Sequence, residues 1–132
     1  GWYDQGGGDV DSRHNYFYPL RIRPGGRTVA LSEYGGIAWP MPGHEPPGKT
    51  YGYGTAKDKA DLTKRYKMLQ WKTILPQLGR GLSALVYTQL TDVEDEVNGL
   101  FTYDRAALKP EAAAVRSCNA ALAAEFAKVT AK

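Results

Sequence analysis

The sequence predicts a parallel α/β fold, and three observations support this prediction. The predicted elements follow in the order strand, strand, helix, strand, helix, which is typical of a parallel sheet covered by helices. The third predicted strand, residues 82–90, is almost continuously apolar, as buried parallel strands are. The 132 residues are enough for one domain with a hydrophobic core and too few for two.

Two strands are predicted in the first third of the chain, at residues 10–16 and 28–34. The connection between them, residues 17–27, is close to the minimum length for a parallel crossover and carries no helical pattern. Prolines exclude regular structure from residues 35–55. Loops of this length in a compact domain are usually functional or disordered. The aromatic side chains of this loop argue against disorder: Trp39, Tyr51 and Tyr53.

Two helices are predicted in the remainder of the chain. The first covers residues 58–78, where apolar side chains recur at intervals of three and four. Its buried face consists of Leu62, Tyr66, Leu69, Thr73 and Ile74. Pro110 suits the first turn of the last helix. The inner stripe of that helix consists of Val115, Cys118, Leu122 and Phe126.

Composition limits the classes of partner and cofactor. The formal net charge is only +3, and the basic residues are scattered, so they predict a solvated helix face and no nucleic-acid partner. No apolar run approaches membrane-spanning length, so no membrane partner is expected. The single Cys118 excludes an internal disulfide and a cysteine metal cluster. The acidic residues 92–96 lack the spacing of a calcium-binding hand, and no metal or other cofactor is predicted. The cellular compartment is left open.

Glu33 is the most informative residue of the chain. It ends the second predicted strand and is followed at once by Tyr34, Gly35 and Gly36. In enzymes that are built on a barrel of parallel strands, the catalytic groups lie at the C-terminal ends of the strands. The glycines let the backbone turn away from the carboxylate. Glycoside hydrolysis typically uses two carboxylic groups, and Glu33 is the best candidate for the nucleophile. A carboxylate that caps a helix or pairs with an arginine is the structural alternative.

Other polar side chains are predicted at neighbouring strand ends. His14 and Tyr16 share one face by two-residue alternation, which would let the tyrosine hydroxyl orient the Glu33 carboxylate and His14 contact a sugar hydroxyl. Tyr87 and Gln89 share a face in the same way at the end of the third strand, where the amide suits hydroxyl recognition. For each of them, local packing or hydrogen bonding is the alternative.

Three segments together resemble the catalytic barrel of glycoside hydrolase family 2, the β-galactosidase and β-glucuronidase family. They are His14-Asn15-Tyr16, residues 31–36 (LSEYGG) and the long run of residues 87–105 (YTQLTDVEDEVNGLFTYDR). The resemblance spans about residues 1–110. It implies strands six to eight of a (β/α)₈ barrel, so that residues 1–132 form the C-terminal fragment of such a catalytic barrel. A complete barrel typically needs about 250 residues.

The resemblance implies a retaining β-glycosidase that hydrolyses terminal β-linked sugars with Glu33 as nucleophile. Tyr16 would be the sixth-strand tyrosine that contacts it, and His14, Trp39, Tyr87 and Gln89 are the other candidate substrate-binding residues. Better-known relatives carry a tryptophan where this chain reads Tyr87-Thr88-Gln89. The acid/base glutamate of the family lies in an Asn-Glu pair, which this sequence lacks, so it is expected upstream of Gly1.

Three expectations follow for the chain by itself. It should have little or no turnover. Its open strand edges should favour self-association or contact with the missing part of the barrel. A non-catalytic carbohydrate-binding or interaction module is the alternative function, and an independent small α/β domain, with all three strands buried, is a third possibility.

Overall fold

The computed structural model describes residues 1–17 and 19–131, and it confirms the parallel α/β class. Strands β1 (Val10–Asn15), β2 (Thr28–Gly35) and β3 (Leu82–Thr88) form a three-stranded sheet in the order β1-β2-β3. Both strand pairs are parallel. The C-terminal ends of all three strands therefore meet at one edge of the sheet.

The helices follow the predicted order, with small differences at their ends. Helix α1 (Lys59–Met68) continues through a π-helical segment, Leu69–Ile74, into the short helix α2 (Leu75–Leu78). The Asp58 carboxylate accepts the Asp61 N–H at 2.8 Å and so caps α1. The last helix, α3, is Ala112–Thr130. Pro110 was predicted in its first turn but precedes the helix, because Glu111 with extended backbone angles is the N-cap.

The hydrophobic core lies between one face of the sheet and the helices. Val29, Leu31 and Tyr34 of β2 are buried on this face. They pack with Ile22, Ile74, Leu78 and Leu82. Burial of each such aliphatic side chain contributes about 1.5–3 kcal/mol, so this cluster fixes the sheet against the helices.

The predicted inner faces of the helices are confirmed in most positions. Leu62, Tyr66 and Ile74 are buried in the first helical segment, and Cys118 is buried in α3. Phe126 differs, since it is 38% exposed near the end of α3. At that end the described sheet has no further strand beside β3 for the helix to cover.

The opposite face of the sheet is open. Val86 of β3 is 56% exposed and Val10 of β1 is 48% exposed. In addition, β1 and β3 are edge strands. On its outer side, β1 forms backbone hydrogen bonds only with Gly1 among the described residues, through the His14 N–H and the Ser12 carbonyl. The strands are thus covered on one face only, which does not support a domain that buries all three strands without a partner.

The end of β3 corrects one prediction. The strand was predicted to reach residue 90, but it ends at Thr88, and the following Thr88–Gln89 peptide bond is cis. The alternation that was expected to place Tyr87 and Gln89 on one face therefore stops between them. At the neighbouring strand end, Gly35 has a φ of 101° and lies against the Tyr87 ring, so that a Cβ atom there would overlap the ring.

The long loop after β2 is held by backbone hydrogen bonds to neighbouring segments. Tyr53 donates its N–H to the Gly36 carbonyl at 2.8 Å, and Trp39 donates to Val97 at 2.9 Å. The loop is therefore ordered and packed on the segment that follows β3, as its aromatic content indicated. Among the described residues, no helix is both long enough and apolar enough to cross a membrane.

Candidate active site

The Glu33 carboxylate lies at the C-terminal end of the central strand, on the open face of the sheet. Its side chain is 43% exposed, so one side of the carboxylate is accessible from solvent. Its Oε2 atom accepts a hydrogen bond from the Tyr16 hydroxyl at 2.9 Å. In the part of the chain that the structure describes, it pairs with no lysine or arginine. This arrangement favours a reactive role over the structural alternative of an arginine pair.

A bulge in β2 brings Glu33 to this face. Arg13 pairs with Leu31, but His14 pairs with Glu33, so Ser32 is the extra residue. The Ser32 hydroxyl lies 2.7 Å from the Ser12 hydroxyl. Because of the bulge, Ser32 and Glu33 both lie on the side of the sheet that carries Ser12 and His14 of β1.

Tyr16 connects the ends of all three strands. Its hydroxyl lies 2.9 Å from the Glu33 carboxylate and 3.0 Å from Oγ1 of Thr88. Burial, and then the neighbouring Glu33 carboxylate, raise the pKa of Tyr16, so the hydroxyl remains a protonated donor. The predicted contact between Tyr16 and Glu33 is present. A hydroxyl in this position holds the carboxylate in one orientation.

The Tyr53 ring supports Tyr16 from the long loop. The two rings are stacked with centroids 3.8 Å apart and an interplanar angle of 3°. A Cβ atom on Gly36 would contact both rings, which explains why a glycine follows the strand. Phe17, which is 64% exposed, lies at the edge of the same stack. Aromatic rings of this kind supply apolar faces on which sugar rings can pack.

His14 also lies beside Glu33, as predicted. Its Nδ1 atom is 3.2 Å from Oε2, but the angles do not make a hydrogen bond, and this buried nitrogen has no other partner among the described residues. The indole of Trp2 packs edge-on against the imidazole, with centroids 5.5 Å apart. His14 therefore lies beside the carboxylate, with its Nδ1 atom near Oε2 and its ring against the Trp2 indole.

Gln89 belongs to a polar cluster next to the strand ends. Its amide donates to Oδ1 of Asn98 at 2.7 Å and to Oε2 of Glu96 at 3.3 Å. Asn98 is fully buried and donates to the same Glu96 oxygen at 2.9 Å. The Gln89 backbone also bonds to the segment after β3, since its N–H donates to the Asn98 carbonyl at 3.4 Å and its carbonyl accepts from the Leu100 N–H at 2.9 Å. Local hydrogen bonding, the alternative for Gln89, thus describes part of its role.

Tyr87 does not lie with the other candidates. Its ring packs against Tyr34 and Tyr66, with centroids 5.5 Å and 5.3 Å away. Burial raises its pKa strongly. Since it occupies the helix-covered face of the sheet, we do not assign it a contact with substrate.

The backbone of Trp39 is held by the buried side chain of Lys109. The Trp39 carbonyl accepts from Nζ of Lys109 at 3.0 Å, and the same ammonium contacts Asp92 Oδ1 at 2.7 Å and the Val97 carbonyl at 2.8 Å. The side chain of Lys109 is completely buried and that of Asp92 is 2% exposed. Asp92, one of the acidic residues of the loop after β3, thus pairs with Lys109. This ion pair joins the long loop to the segment after β3.

Sequence reasoning missed several residues of the site. Thr88 contacts Tyr16, Trp2 contacts His14, and Asn98 and Glu96 contact Gln89. Tyr53, one of the loop aromatic residues that the sequence singled out, stacks on Tyr16. The aromatic residues at positions 2 and 53 were a usable signal, but nothing in their spacing indicated which strand end they would approach.

A scan against protein-family models finds no match for this chain, and no curated protein matches it. An accessible carboxylate, oriented by a tyrosine and flanked by aromatic rings, can attack an electrophilic carbon or accept a proton.

Replacement of Tyr16 with phenylalanine tests whether the hydroxyl orients Glu33. We expect kcat for an aryl β-glycoside to fall about 10- to 100-fold, because a hydrogen bond to a charged group contributes about 1.5–3 kcal/mol. The measurement compares the two proteins in the longer barrel polypeptide that is proposed below. Unchanged kcat would contradict this role.

Proposed function

We propose that this chain is the C-terminal part of a (β/α)₈ barrel of glycoside hydrolase family 2 type, and that it supplies the nucleophile of a retaining β-glycosidase. The observation that carries the proposal is the accessible Glu33 carboxylate at the C-terminal end of the central parallel strand, oriented by the Tyr16 hydroxyl at 2.9 Å. In parallel α/β barrels, catalytic groups lie at this end of the strands.

In the proposed reaction, a Glu33 oxygen attacks the anomeric carbon of a terminal β-linked sugar. The bond from that carbon to the leaving oxygen breaks as a carboxylic acid outside this chain protonates the oxygen. Water, deprotonated by the same group, then attacks the anomeric carbon and releases Glu33 and the sugar. Tyr16 holds the attacking carboxylate, and His14 contacts the bound sugar.

The acid/base group is proposed to lie on an earlier strand. Retaining enzymes need the two carboxyl groups about 5–5.5 Å apart. Among the described residues, Glu33 has no carboxylate in contact with it. Glu96 approaches the same aromatic cluster, but its carboxylate already accepts two amide hydrogen bonds. The chain by itself is therefore proposed to have little or no turnover.

The open face of the sheet supports the proposal that this chain contacts a partner. The exposed Val10 and Val86 side chains lie on the two edge strands of the sheet. The remaining strands of a barrel would cover this face and pair with both edges. We propose contact with that part of the barrel, or self-association where it is absent.

A non-catalytic carbohydrate-binding module is the second candidate. The exposed aromatic side chains of Phe17 (64%) and Tyr51 (48%) favour it, since they could bind a sugar without chemistry. The two functions differ in turnover, because only the enzyme releases the aryl group from an aryl β-glycoside.

The stereochemistry of hydrolysis tests the proposed function. We expect the longer polypeptide to hydrolyse at least one member of a panel of aryl β-glycosides and to release the β-anomer first, as seen by proton NMR before mutarotation. The displacement at Glu33 and the second displacement by water each invert the anomeric carbon, so the two together retain it. Release of the α-anomer first, or saturable binding without hydrolysis, would contradict the proposal.

A further inference from the structure

A second carboxylate, Glu96, lies beside the proposed site and is not used by the reaction described above. Two routes connect it to Glu33. One runs from Glu33 through Tyr16 to Thr88, whose neighbour Gln89 donates to Glu96. The other runs through the stacked rings of Tyr16 and Tyr53.

In the second route, Tyr53 stacks on Tyr16 and packs edge-on against Tyr51, with centroids 5.5 Å apart. The backbone of Tyr51 pairs with that of Glu96 in an isolated β-bridge. The pKa of Tyr53 is raised by burial, by a hydrogen bond with Tyr51, and by the negative charges of both Glu96 and Glu33. Both carboxylates therefore lie near the Tyr53 side chain.

The Glu96 carboxylate is held in one orientation. Its Oε2 atom accepts from the amides of Asn98 at 2.9 Å and Gln89 at 3.3 Å. Asn98 is fully buried, so it is a fixed support. Over residues 1–17 and 19–131, Oε1 of Glu96 has no hydrogen-bond partner and no cation pairs with the carboxylate. A half-buried carboxylate with one oxygen bound and the other free is suited to accept a hydrogen bond from a ligand.

We propose that Glu96 is a specificity residue of this site: it accepts a hydroxyl of a neutral sugar through Oε1 and excludes sugars that carry a carboxylate. This inference rests on the proposed function. A neutral pyranoside offers hydroxyl donors to Glu96 while its apolar face packs on the aromatic rings. A uronic acid would add a third negative charge to a site that already holds Glu33 and Glu96, neither of which is paired with a lysine or arginine in the described part of the chain.

The test compares two substrates in the longer polypeptide. They are the neutral aryl β-glycoside that is hydrolysed fastest and the uronide of the same sugar, which carries a carboxylate at C6. We expect the unmodified protein to prefer the neutral substrate. Glu96→Gln should lower the ratio of the two kcat/KM values at least about tenfold, since like charges a few ångströms apart in a partly buried site repel strongly.

The matched control is Glu94→Gln, which makes the same chemical change at an exposed residue two positions away. It should leave the ratio unchanged. A purely structural role of Glu96 would reduce both kcat/KM values together and also leave the ratio unchanged, which would overturn the inference. So would a preference of the unmodified protein for the uronide.

A measurement on the unmodified protein covers the case in which Glu96→Gln does not fold. Added salt should raise kcat/KM for the uronide relative to the neutral substrate, because it screens the repulsion. No salt dependence of the ratio would overturn the inference. If neither substrate is hydrolysed, the proposed function itself fails, whereas hydrolysis with an unaltered ratio removes only the role of Glu96.

Discussion

Replacement of Glu33 with glutamine is expected to lower kcat for aryl β-glycosides by roughly 10⁴-fold or more, which is the scale seen when a covalent nucleophile is removed. Glutamine preserves the shape of the side chain and can still accept a hydrogen bond from the Tyr16 hydroxyl. In the unmodified protein this hydroxyl lies 2.9 Å from the carboxylate. It cannot form the glycosyl ester. Steady-state kinetics of the longer polypeptide, with substrates that have good leaving groups, measures the effect.

Glu94→Gln is the control for this substitution as well. Glu94 is exposed and lies in the loop after β3, so the variant should keep the activity of the unmodified protein. Activity that survives Glu33→Gln would remove Glu33 from the role of nucleophile.

Replacement of Lys109 with methionine is expected to lower the free energy of unfolding by about 3–5 kcal/mol, since it leaves a buried charge without its partner. The ammonium contacts Asp92 at 2.7 Å and two carbonyl oxygens, and its side chain is fully buried. Burial raises the pKa of Asp92 and lowers that of Lys109, which reflects the cost of holding both charges away from water. Urea unfolding of the chain at one fixed protein concentration, followed by tryptophan fluorescence, measures the loss.

A second substitution separates the charge from the packing. Asp92→Asn in the Lys109→Met background removes the unpaired carboxylate, so the double variant should recover about 1 kcal/mol or more relative to Lys109→Met alone. If the two substitutions are additive, the ion pair does not account for the stability of this region.

The periodic parts of the chain could be predicted from the sequence. Apolar spacing identified the helix that contains Leu62, Tyr66 and Ile74, and the parallel order of the strands followed from the order of the elements. Alternation along β1 placed His14 and Tyr16 on one face, and both lie beside Glu33. These predictions depend on regular backbone geometry, which the sequence pattern reports directly.

The errors lie where the regular geometry ends. The alternation from Tyr87 to Gln89 fails because β3 stops at Thr88, while Tyr87, still within the strand, packs under the helices. The bulge at Ser32, which brings Glu33 opposite His14, left no signal in the residue types. Past the end of a strand, periodicity is an unreliable guide: it fails for Gln89 after β3, although it holds for Tyr16, the first residue after β1.

The polar groups of the loops were beyond prediction for a different reason. A lysine normally indicates a solvated surface. Lys109 can be buried because three acceptors from distant segments bind its ammonium group. Glu96 resembles the other acidic residues of its loop until the amides of Gln89 and Asn98 are placed around it. Such contacts arise from tertiary structure.

The most direct measurement of the proposed role of Glu33 is covalent trapping. A 2-deoxy-2-fluoro-β-glycosyl fluoride has a leaving group that needs no acid catalyst, and the fluorine slows release of the intermediate. After reaction of the longer polypeptide with this reagent, peptide mass spectrometry should find one glycosyl group, attached to Glu33. A label on another carboxylate, or hydrolysis of aryl β-glycosides with no label on Glu33, would contradict the proposed mechanism.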